Sequence, residues 1–461
     1  MKTLLTPLPY RADSAAVFAR IAHRQWAIYL DSGWPGSQYG RYDIFSAEPM
    51  TTLATRDGQT EIRENKSTQV VAENPFHTLK TILQRHTAAP THLPFSGGAM
   101  GYFSYDLARC LESLPERAMD AEQMPEMAIG IYDWAAVFDH RAERAWLIGQ
   151  GNDARTREQW PELVKLLSED AAPQTGVFKV LDEPVSNMEE ADYAAAFERI
   201  KHYIAEGDCY QVNLAQRFSA QAEGDAWAAY LRLRQLSPAP FSAYFNTPHG
   251  QILSASPERF LRVENGRVET KPIKGTRPRS SDPSQDKAYA DALQSSEKDR
   301  AENVMIVDLL RNDLGKNCAT GSVHAEKLFA LESFANVHHL VSTVTGTLAP
   351  DRDAVDLLQG CFPGGSITGT PKLRAMEIIE ELEAHRRGVY CGAIGYIGFD
   401  KNMDTNIAIR TAVFSDNLLR FWAGGGIVAD SEMQKEYRET LDKASGMLQL
   451  IAELRGKNVG C

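Results

Sequence analysis

The sequence predicts an α+β fold in which large mixed or antiparallel sheets are sandwiched with helices. Two observations lead to this prediction. Short apolar or alternating runs bounded by turn residues fill the first 150 residues, whereas long helical patterns alternate with strand patterns after residue 187. In addition, three strand patterns follow one another between residues 389 and 426, and such a run favours antiparallel pairing over βαβ winding.

Strand patterns dominate the N-terminal part of the chain. The predicted strands are WAIYL (26–30), YDIFSAEP (42–49), GAMGYFSYDL (98–107), MAIGIYDWAAVFD (127–139) and RAWLIG (144–149). One helix is predicted among them, NPFHTLKTILQRH at 74–86. Residues 170–187 contain Pro, Gly, Thr and Asp without a sustained period, which indicates a linker. We therefore predict an N-terminal region over 1–170 and a second region over 187–455.

The second region begins with a helical pattern at 188–208, in which apolar residues recur every three or four positions. Further strands are predicted at 209–218, 241–246, 251–263, 267–275, 389–399, 404–414 and 418–426. Further helices are predicted at 298–313 and 370–385, and a final helix starts from Ser431.

Composition excludes several classes of function. The net charge of −12 argues against binding to nucleic acid or to anionic membranes, because both require a basic surface. Six cysteines without CxxC spacing fit a reducing compartment and offer neither a zinc pattern nor a disulfide framework. The chain begins without an apolar signal segment and contains no run of about 18 apolar residues. We expect a cytoplasmic protein that has neither a membrane nor a nucleic acid as partner.

A basic loop stands out in this acidic chain. The segment ETKPIKGTRPRS (269–280) contains Lys271, Lys274, Arg277 and Arg279, and its prolines and glycine rule out a regular helix. A lysine becomes a nucleophile when burial or neighbouring cations lower its pKa. The alternative is a solvated surface loop, which is the commoner environment of lysine. Glu258 lies close by in the sequence, flanked by apolar residues, and a carboxyl in an apolar pocket can act as a general acid.

Two predicted helices have acidic faces. Glu432, Glu436, Glu439 and Lys443 share one stripe of the final helix, and Asp299 and Glu302 lie three residues apart on an earlier helix. Carboxylates from two helices can hold Mg²⁺, which binds one or two carboxylates together with water and substrate oxygens. A solvated helix face is the alternative.

Glycine-rich segments and one buried arginine suggest an anion site. In FPGGSITGTPK, Thr370 is predicted as the N-cap of a helix with Pro371 at its first position, and the segment does not match a Walker A loop. The glycines of WAGGGIVADS either let backbone N–H groups approach a carboxylate or form a tight turn. Arg410 is predicted within a strand, where it needs an anionic partner, either a ligand or an internal carboxylate.

Taken in order, these segments resemble the chorismate-utilising enzymes, the synthase subunits that form anthranilate, aminodeoxychorismate or isochorismate. The matching motifs are SPERF, PIKGT, KDRAEN with IVDLLRND, HHLVSTV, FPGGSITGTPK, GYIGF, IAIRT, AGGGIVADS and ETLDKA. They cover the chain from about residue 187, and the N-terminal part matches more loosely. The resemblance implies the anthranilate synthase component I-like αβ sandwich. Lys274 in PIKGT is typical of the aminodeoxychorismate branch, and Gln211 in CYQVNLAQ stands where the isochorismate and salicylate synthases carry lysine. The anthranilate branch, which typically has PIAGT, is the alternative.

The resemblance also implies an Mg²⁺-dependent transferase chemistry, on the path from chorismate to p-aminobenzoate and folate. In it, Lys274 attacks C2 of chorismate while Glu258 protonates the departing 4-hydroxyl, and ammonia then resolves the covalent intermediate at C4. His339 is implied near the leaving group, and Glu302 and Glu439 are implied as Mg²⁺ ligands. The implied substrate contacts are Gln211, Thr276, Gly365, Tyr396, Arg410, Gly424, Gly425, Gly426 and Lys443.

Two partners follow from the same resemblance. The chain has no G-x-C-x-G nucleophile elbow, so a separate glutamine amidotransferase subunit is implied as the source of ammonia. A tryptophan pocket is implied in the N-terminal half, although Asp31 stands where feedback-inhibited relatives usually have Glu. Its implied residues are Ser32, Tyr39, Gly40, Arg41, Tyr42, Pro240, Phe241 and Ser242.

Overall fold

The strands of this protein form two large antiparallel sheets. The computed structural model describes residues 3–37, 40–170, 175–333 and 337–456. In the first half of the chain the strands are β1 (Leu4–Leu8), β2 (Ile28–Asp31), β3 (Tyr42–Ser46), β4 (Thr51–Arg56), β5 (Gln59–Glu64), β6 (Ser67–Val71), β7 (Gly98–Phe103), β8 (Met127–Tyr132), β9 (Trp134–Asp139), β10 (Arg144–Gly149), β11 (Phe178–Val180), β12 (Val185–Ser186) and β13 (Gln211–Gly224). In the second half they are β14 (Phe241–Thr247), β15 (Gly250–Ser256), β16 (Arg259–Glu264), β17 (Arg267–Thr270), β18 (Ile273–Pro278), β19 (His324–Ser333), β20 (Val337–Thr347), β21 (Gly369–Thr370), β22 (Ala393–Gly398), β23 (Met403–Asn406), β24 (Thr411–Ser415) and β25 (Leu418–Ile427).

Ten α-helices complete the described part of the chain. They are α1 (Ser14–Phe18), α2 (Pro75–Leu83), α3 (Ala154–Ser168), α4 (Glu190–Glu206), α5 (Ala226–Leu236), α6 (Pro283–Ser295), α7 (Glu297–Gly315), α8 (Ala354–Cys361), α9 (Lys372–Leu382) and α10 (Met433–Leu454). Polar caps fix where several of them begin. Asn74 accepts from the Phe76 amide at the start of α2, at 2.9 Å, with Pro75 at the first helical position. No helix in the described ranges is long and apolar enough to cross a lipid bilayer.

Both sheets combine strands that are distant in sequence. In sheet I the order is β1–β10–β9–β3–β2–β14–β15–β24–β25–β13–β11, and β12 and β21 also pair with β13. In sheet II the order is β18–β20–β17–β16–β23–β22–β7–β8–β4–β5–β6, and β19 also pairs with β20. The pairing β2–β14 in sheet I and the pairing β7–β22 in sheet II join the N-terminal strands to the C-terminal ones.

The two sheets face each other, and helices cover their outer sides. An inner cluster includes Phe245 and Ile252 of sheet I together with Met100, Tyr102 and Ile394 of sheet II. The outer face of sheet I packs against α1, α3, α5 and α10, and the outer face of sheet II packs against α2, α7 and α8. The predicted α+β sandwich with antiparallel sheets is therefore confirmed.

Several elements differ from the sequence expectations. Helices α3, α5, α6 and α8 and the strands β1, β4, β5, β6, β19 and β20 were not predicted. The linker prediction is wrong for residues 178–186, because β11 and β12 lie there and pair with β13. Apolar side chains explain this pairing, since Phe178 and Val180 are buried within the core cluster on sheet I. The division of the chain at this segment stays a prediction.

A buried ion pair joins three segments beneath sheet I. The guanidinium Nη2 of Arg387 lies 2.6 Å from Glu383 Oε1, and both side chains are 1 % exposed. Arg387 also donates to the carbonyl oxygens of Ile367 and Asn213, each at 2.9 Å. Glu383 Oε1 accepts from the Ala215 amide at 2.9 Å. The pair thus holds strand β13 and the loop before α9 in one fixed arrangement.

We predict that Arg387→Ala lowers the free energy of unfolding by about 3–5 kcal/mol, because it leaves the Glu383 carboxylate buried without its cation. Urea denaturation followed by circular dichroism measures the change. Lys435→Ala serves as the control, since its ion pair with Glu432 is exposed and its loss should not measurably alter stability. A value for Arg387→Ala within about 1 kcal/mol of the unaltered protein would contradict the prediction.

Candidate active site

A cavity of about 1050 Å³ opens between α7, α10 and the facing ends of the two sheets. Most of the site residues named from the sequence line it, although they come from distant parts of the chain. These residues are Glu258, Lys274, Thr276, Glu302, His339, Arg410, Gly424, Gly426, Glu439 and Lys443.

An irregularity in β18 directs Lys274 into this cavity. Lys274 pairs with Leu340 and Thr276 pairs with His339, so Gly275 is an extra residue between the two pairs. Gly275 has φ +74°, and a Cβ there would lie 2.8 Å from the Leu293 side chain. Such bulges bend a strand and redirect its side chains, and glycine adopts the required backbone without strain. The Lys274 Nζ lies 3.5 Å from the Ser366 carbonyl oxygen.

The surroundings of Lys274 favour its neutral amine. Burial is the largest effect and lowers the pKa of Lys274 from its usual value. The Glu302 carboxylate opposes this shift, and the Lys443 ammonium adds to it. The amine of a lysine is nucleophilic only when it is unprotonated, and a lowered pKa increases the unprotonated fraction.

Glu258 lies in the same cavity with the opposite tendency. It is 6 % exposed, and burial raises the pKa of its carboxyl group above the usual value. The Ser366 hydroxyl donates to Glu258 Oε1 at 2.9 Å and moderates that shift, as does the charge of Lys274. A buried carboxyl that retains its proton can act as a general acid. Glu258 and Lys274 thus lie in one cavity.

Arg410 provides an uncompensated positive charge. It lies between β23 and β24 with φ 49°, so the prediction that it sits within a strand is wrong. Burial alone lowers the pKa of its guanidinium, and it makes no ion pair within the described ranges. The internal carboxylate considered as the alternative to an anionic ligand is therefore not found there. A guanidinium in such a position favours binding of an anionic ligand.

His339 is held as a neutral imidazole. It is 3 % exposed, and burial together with Arg410 lowers the pKa of its ring to about 4. Its Nδ1 lies 2.9 Å from the Thr276 hydroxyl. A neutral ring at this place can exchange hydrogen bonds without adding a second cation beside Arg410.

Carboxylates from two helices converge on one wall of the cavity. Glu302 extends from α7, and Glu436 and Glu439 extend from α10. The Lys298 Nζ lies 3.9 Å from Glu302 Oε1 and 3.8 Å from Glu436 Oε1, so a cation already bridges the two helices. In the described residues, no group of three or more His, Cys, Asp or Glu side chains has the arrangement of a formed metal site.

These carboxylates have different protonation tendencies. Burial raises the pKa of Glu302 and of Glu436 above the usual value. Burial acts on Glu439 in the same sense, but Lys443 outweighs it and holds the pKa of Glu439 below the usual value. The Lys443 Nζ lies 2.7 Å from Glu439 Oε1. Carboxylate oxygens of this kind suit Mg²⁺, whose positive charge would favour the ionised form of all three.

The glycines 424–426 allow these groups to approach β25 closely. They form part of the strand and pair with β13, so the tight turn considered for them is not observed. A Cβ on Gly425 would lie 3.4 Å from Glu436 Oε2 and 3.7 Å from Glu439 Oε1. On Gly426 it would lie 2.9 Å from Gln211 Nε2, a buried amide nitrogen without a partner in the described ranges. Side chains at these positions would fill the space beside the carboxylates.

The loop before α9 approaches the cavity through Ser366. Its neighbour Gly365 contacts α7, where a Cβ would lie 2.5 Å from the Leu309 side chain. Thr370 belongs to the short strand β21, and Pro371 takes the N-cap position of α9, so the predicted cap is displaced by one residue.

A second, smaller cavity of about 260 Å³ lies between the sheets. Of the residues predicted to form a pocket in this half, those that line it are Ser32, Arg41, Tyr42, Pro240, Phe241 and Ser242. Gly40 packs behind Ser32, since its Cβ would lie 2.9 Å from the Ser32 carbonyl oxygen, and Tyr39 is outside the described residues. Pro257 and Ile273 line both cavities.

Asp31 lines this smaller cavity, and its carboxylate forms hydrogen bonds to α5. Its Oδ2 accepts from Arg234 Nε at 2.6 Å and from the Tyr230 hydroxyl at 2.9 Å. Its carboxylate therefore stabilises the junction between β2 and α5.

Most of this chain matches one protein family. The family model for chorismate binding enzymes matches residues 27–449. The chain belongs to the chorismate-binding enzyme family. It is 47 % identical over 458 residues to aminodeoxychorismate synthase component 1 of Escherichia coli (strain K12), covering 98 % of this chain and 100 % of that protein. It is 36 % identical over 453 residues to anthranilate synthase component 1 of Aquifex aeolicus (strain VF5), covering 95 % of this chain and 91 % of that protein.

A solved structure in this family has the same fold. Anthranilate synthase component I from Streptococcus pneumoniae TIGR4 superposes with a TM-score of 0.80 at 33 % identity, covering 89 % of this chain and 92 % of that one. The resemblance inferred from the sequence motifs is confirmed by these matches, and the chain is a chorismate-binding enzyme.

One predicted substrate residue of this chorismate-binding enzyme lies elsewhere. Tyr396 lines the smaller cavity and packs against Phe95 at a centroid distance of 5.3 Å. The motif GYIGF alone does not show which face of β22 the Tyr396 ring occupies. The larger cavity is instead lined by Tyr390 and Trp422, whose rings stack at 6.0 Å.

Asn213 and Ser366 also line the larger cavity and were not singled out from the sequence. Ser366 lies within the glycine-rich motif FPGGSITGTPK, so its position carried a usable signal. Asn213 follows Gln211 by two residues in β13, and residues two apart share one face of a strand.

Proposed function

We propose that this chorismate-binding enzyme aminates chorismate with ammonia to give 4-amino-4-deoxychorismate, in the step that leads from chorismate towards p-aminobenzoate and folate. Residues 187–455 supply the catalytic side chains, and residues 1–170 contribute to a tryptophan pocket. One observation carries the proposal. Lys274, whose pKa burial lowers, and Glu258, whose pKa burial raises, meet in one cavity with Arg410, which makes no ion pair within the described ranges.

The first step forms a covalent intermediate. The lone pair of the Lys274 amine attacks C2 of chorismate, the two ring double bonds shift, and the C4–oxygen bond breaks. Glu258 gives its proton to the departing 4-hydroxyl, which leaves as water. His339 lies beside Thr276 in the same cavity and can hydrogen bond to that hydroxyl. Covalent catalysis divides one difficult displacement at C4 into two allylic steps.

The second step places nitrogen at C4. Ammonia attacks C4, the double bonds return, and the C2–nitrogen bond breaks with its electron pair returning to Lys274. The new C4 ammonium then gives one proton to the Glu258 carboxylate, which restores the acid. Lys274 is therefore again a free amine, and Glu258 is again a protonated acid.

Charged groups around the cavity fit the two carboxylates of chorismate. Arg410 and Lys443 are the cations proposed to bind them, with Thr276, Gly365 and the backbone of Gly424–Gly426 as further proposed contacts. Gln211 lies behind Gly426. Mg²⁺, held by Glu302 and Glu439 with Glu436 as neighbour, would neutralise the ring carboxylate. Tyr396 is no longer proposed as a contact, because it lines the other cavity.

A partner is proposed as the source of ammonia. Burial raises the pKa of each of the five cysteines in the described ranges, so none resembles the activated thiol of a glutamine amidotransferase. All five are free thiols, which supports a reducing compartment and hence the cytoplasm. A separate glutamine amidotransferase subunit would deliver ammonia to this chain.

We propose L-tryptophan as the ligand of the smaller cavity. Its lining combines the apolar rings of Tyr42 and Phe241 with the hydroxyls of Ser32 and Ser242. An indole needs both a large apolar surface and a hydrogen-bond acceptor for its N–H group. The volume of about 260 Å³ lies just below the ~300–1,000 Å³ typical of sites for drug-sized ligands, which suits an amino acid.

The first prediction concerns the product. With chorismate, ammonium and Mg²⁺, the purified chain should form 4-amino-4-deoxychorismate, whereas glutamine should not replace ammonium. Lys274→Ala should lose both the product and the covalent adduct, and mass spectrometry of the product and of the intact protein measures each. Lys287→Ala, an exposed lysine on α6, is the matched control. Anthranilate released together with pyruvate would assign the chain to the anthranilate branch, and an adduct in Lys274→Ala would exclude Lys274 as nucleophile.

The second prediction concerns the metal. Glu302→Gln and Glu439→Gln should each lower Mg²⁺-dependent activity by about tenfold or more, with an unchanged thermal midpoint, because these carboxylates lie at the cavity surface and not in the core. Activity is titrated against Mg²⁺ for each variant. Glu264→Gln, which alters an exposed carboxylate of β16, is the control. Unchanged Mg²⁺ dependence in both variants would show that the ligands lie elsewhere.

The third prediction concerns tryptophan. Adding it to extensively dialysed protein should raise the thermal midpoint, because a ligand that binds only the native state stabilises by about 2.7 kcal/mol at 100 times its Kd. Phe241→Ala should abolish the increase. No shift in the unaltered protein, together with no tryptophan released on its denaturation, would rule the ligand out.

A further inference from the structure

Ser366 contacts both catalytic residues at once. Its hydroxyl donates to Glu258 Oε1 at 2.9 Å, and its carbonyl oxygen lies 3.5 Å from Lys274 Nζ. The residue is 8 % exposed, so little water competes for these contacts. No other residue in the described ranges forms hydrogen bonds to the side chains of both Glu258 and Lys274.

The surrounding structure holds Ser366 rigidly. It is the middle residue of the 3₁₀ turn Gly365–Ile367. On one side Arg387 Nη1 donates to the Ile367 carbonyl at 2.9 Å, and the Thr368 hydroxyl donates to the Gly364 carbonyl at 3.0 Å. On the other side Gly365 packs directly against Leu309 of α7. The hydroxyl therefore keeps a fixed direction towards Glu258.

We propose that Ser366 is a positioning residue that fixes the orientation of the Glu258 carboxyl and limits how tightly it retains its proton. This inference rests on the amination proposed above. Ser366 touches no reacting atom of chorismate in this scheme. It acts through Glu258.

The physical argument concerns the charge of Glu258. Burial favours the protonated acid, and the Ser366 hydroxyl opposes this by donating a hydrogen bond to the carboxylate. The other groups facing Glu258 are Lys274 from β18, Lys443 from α10, the Ile273 amide and the Cys391 thiol. Lys274 and Ile273 belong to β18, Lys443 belongs to α10, and Ser366 lies in the turn before α9, so Ser366 reaches Glu258 from an element that the others do not share.

The proposed reaction needs an intermediate acidity at Glu258. The acid must release a proton as the C4–oxygen bond breaks and must accept one after the C4–nitrogen bond forms. Without the hydroxyl, burial would be opposed less strongly, so the pKa of Glu258 would rise and proton release would become harder. The loss should therefore affect the chemical step more than the binding of chorismate.

The test compares Ser366→Ala with Ser366→Thr, which keeps a hydroxyl. We expect Ser366→Ala to lower kcat by about 10- to 100-fold with little change in KM, the loss typical of a hydrogen bond to a charged group. The basic limb of its pH profile should move to higher pH, because a raised pKa keeps Glu258 protonated further up the pH scale. Ser366→Thr should return the basic limb of the pH profile to its original position and restore most of kcat. Ser284→Ala on α6 is the control.

A second measurement separates this inference from the proposed function. Difference infrared titration against Glu258→Gln follows the protonation of Glu258 without turnover, and should give a higher pKa in Ser366→Ala than in the unaltered protein. An unaltered protein that forms no aminodeoxychorismate would overturn the function and leave this titration valid. Coinciding titration curves for Ser366→Ala and the unaltered protein, or a pH profile that Ser366→Thr does not restore, would overturn the role of Ser366.

Discussion

The buried pair of Arg387 and Glu383 fixes the segments on which the cavity depends. Its hydrogen bonds reach β13 through Asn213 and Ala215 and the Ser366 loop through Ile367. The Arg387 guanidinium also lies 4.9 Å from the Tyr105 ring centroid and 5.8 Å from that of Tyr390. A buried ion pair contributes little net stability compared with apolar packing, but it imposes one geometry on the groups it joins. Here that geometry sets how β13, the Ser366 loop and the Tyr390 ring meet at the cavity.

Burial also has opposite effects on the two central side chains. It lowers the pKa of Lys274 and raises that of Glu258, so removing water favours the neutral form of each. The attraction between the charged forms of Lys274 and Glu258 opposes these pKa shifts. The hydrogen bond from Ser366 to Glu258 opposes the shift of Glu258 as well. The cavity therefore shifts both groups towards their neutral forms, while the Lys274–Glu258 attraction and the Ser366 hydrogen bond limit the shift. Such a balance suits groups that must change protonation state within each turnover.

Sequence patterns indicated which residues share a cavity better than they indicated where each element lies. Glu258, Lys274 and the carboxylates of α7 and α10 were singled out because their residue types are unusual in their local surroundings, and all of them line the larger cavity. Their roles in the reaction stay predictions that the family resemblance implies. Arg410 was placed in a strand because its apolar neighbours follow a strand pattern, but the chain turns there with a positive φ. Tyr396 was assigned to the wrong cavity because a one-residue difference decides which face of a strand a ring occupies. Helix α6 was missed because Leu293 is its one fully buried residue, so its apolar periodicity is weak.

The interleaving of distant strands affects how the protein is made. Strand β2 pairs with β14, whose first residue, Phe241, lies 210 positions after Asp31, the last residue of β2. At about 5–20 residues per second, translation takes roughly 10–40 s to cover that distance. During that time the edge of the apolar strand β2 that later pairs with β14 has no native partner and is exposed to other chains. The cavity itself must wait for α10, which supplies Glu439 and Lys443 near the end of the described chain. Nascent chains of this protein are therefore expected to depend on chaperones until α10 has been synthesised.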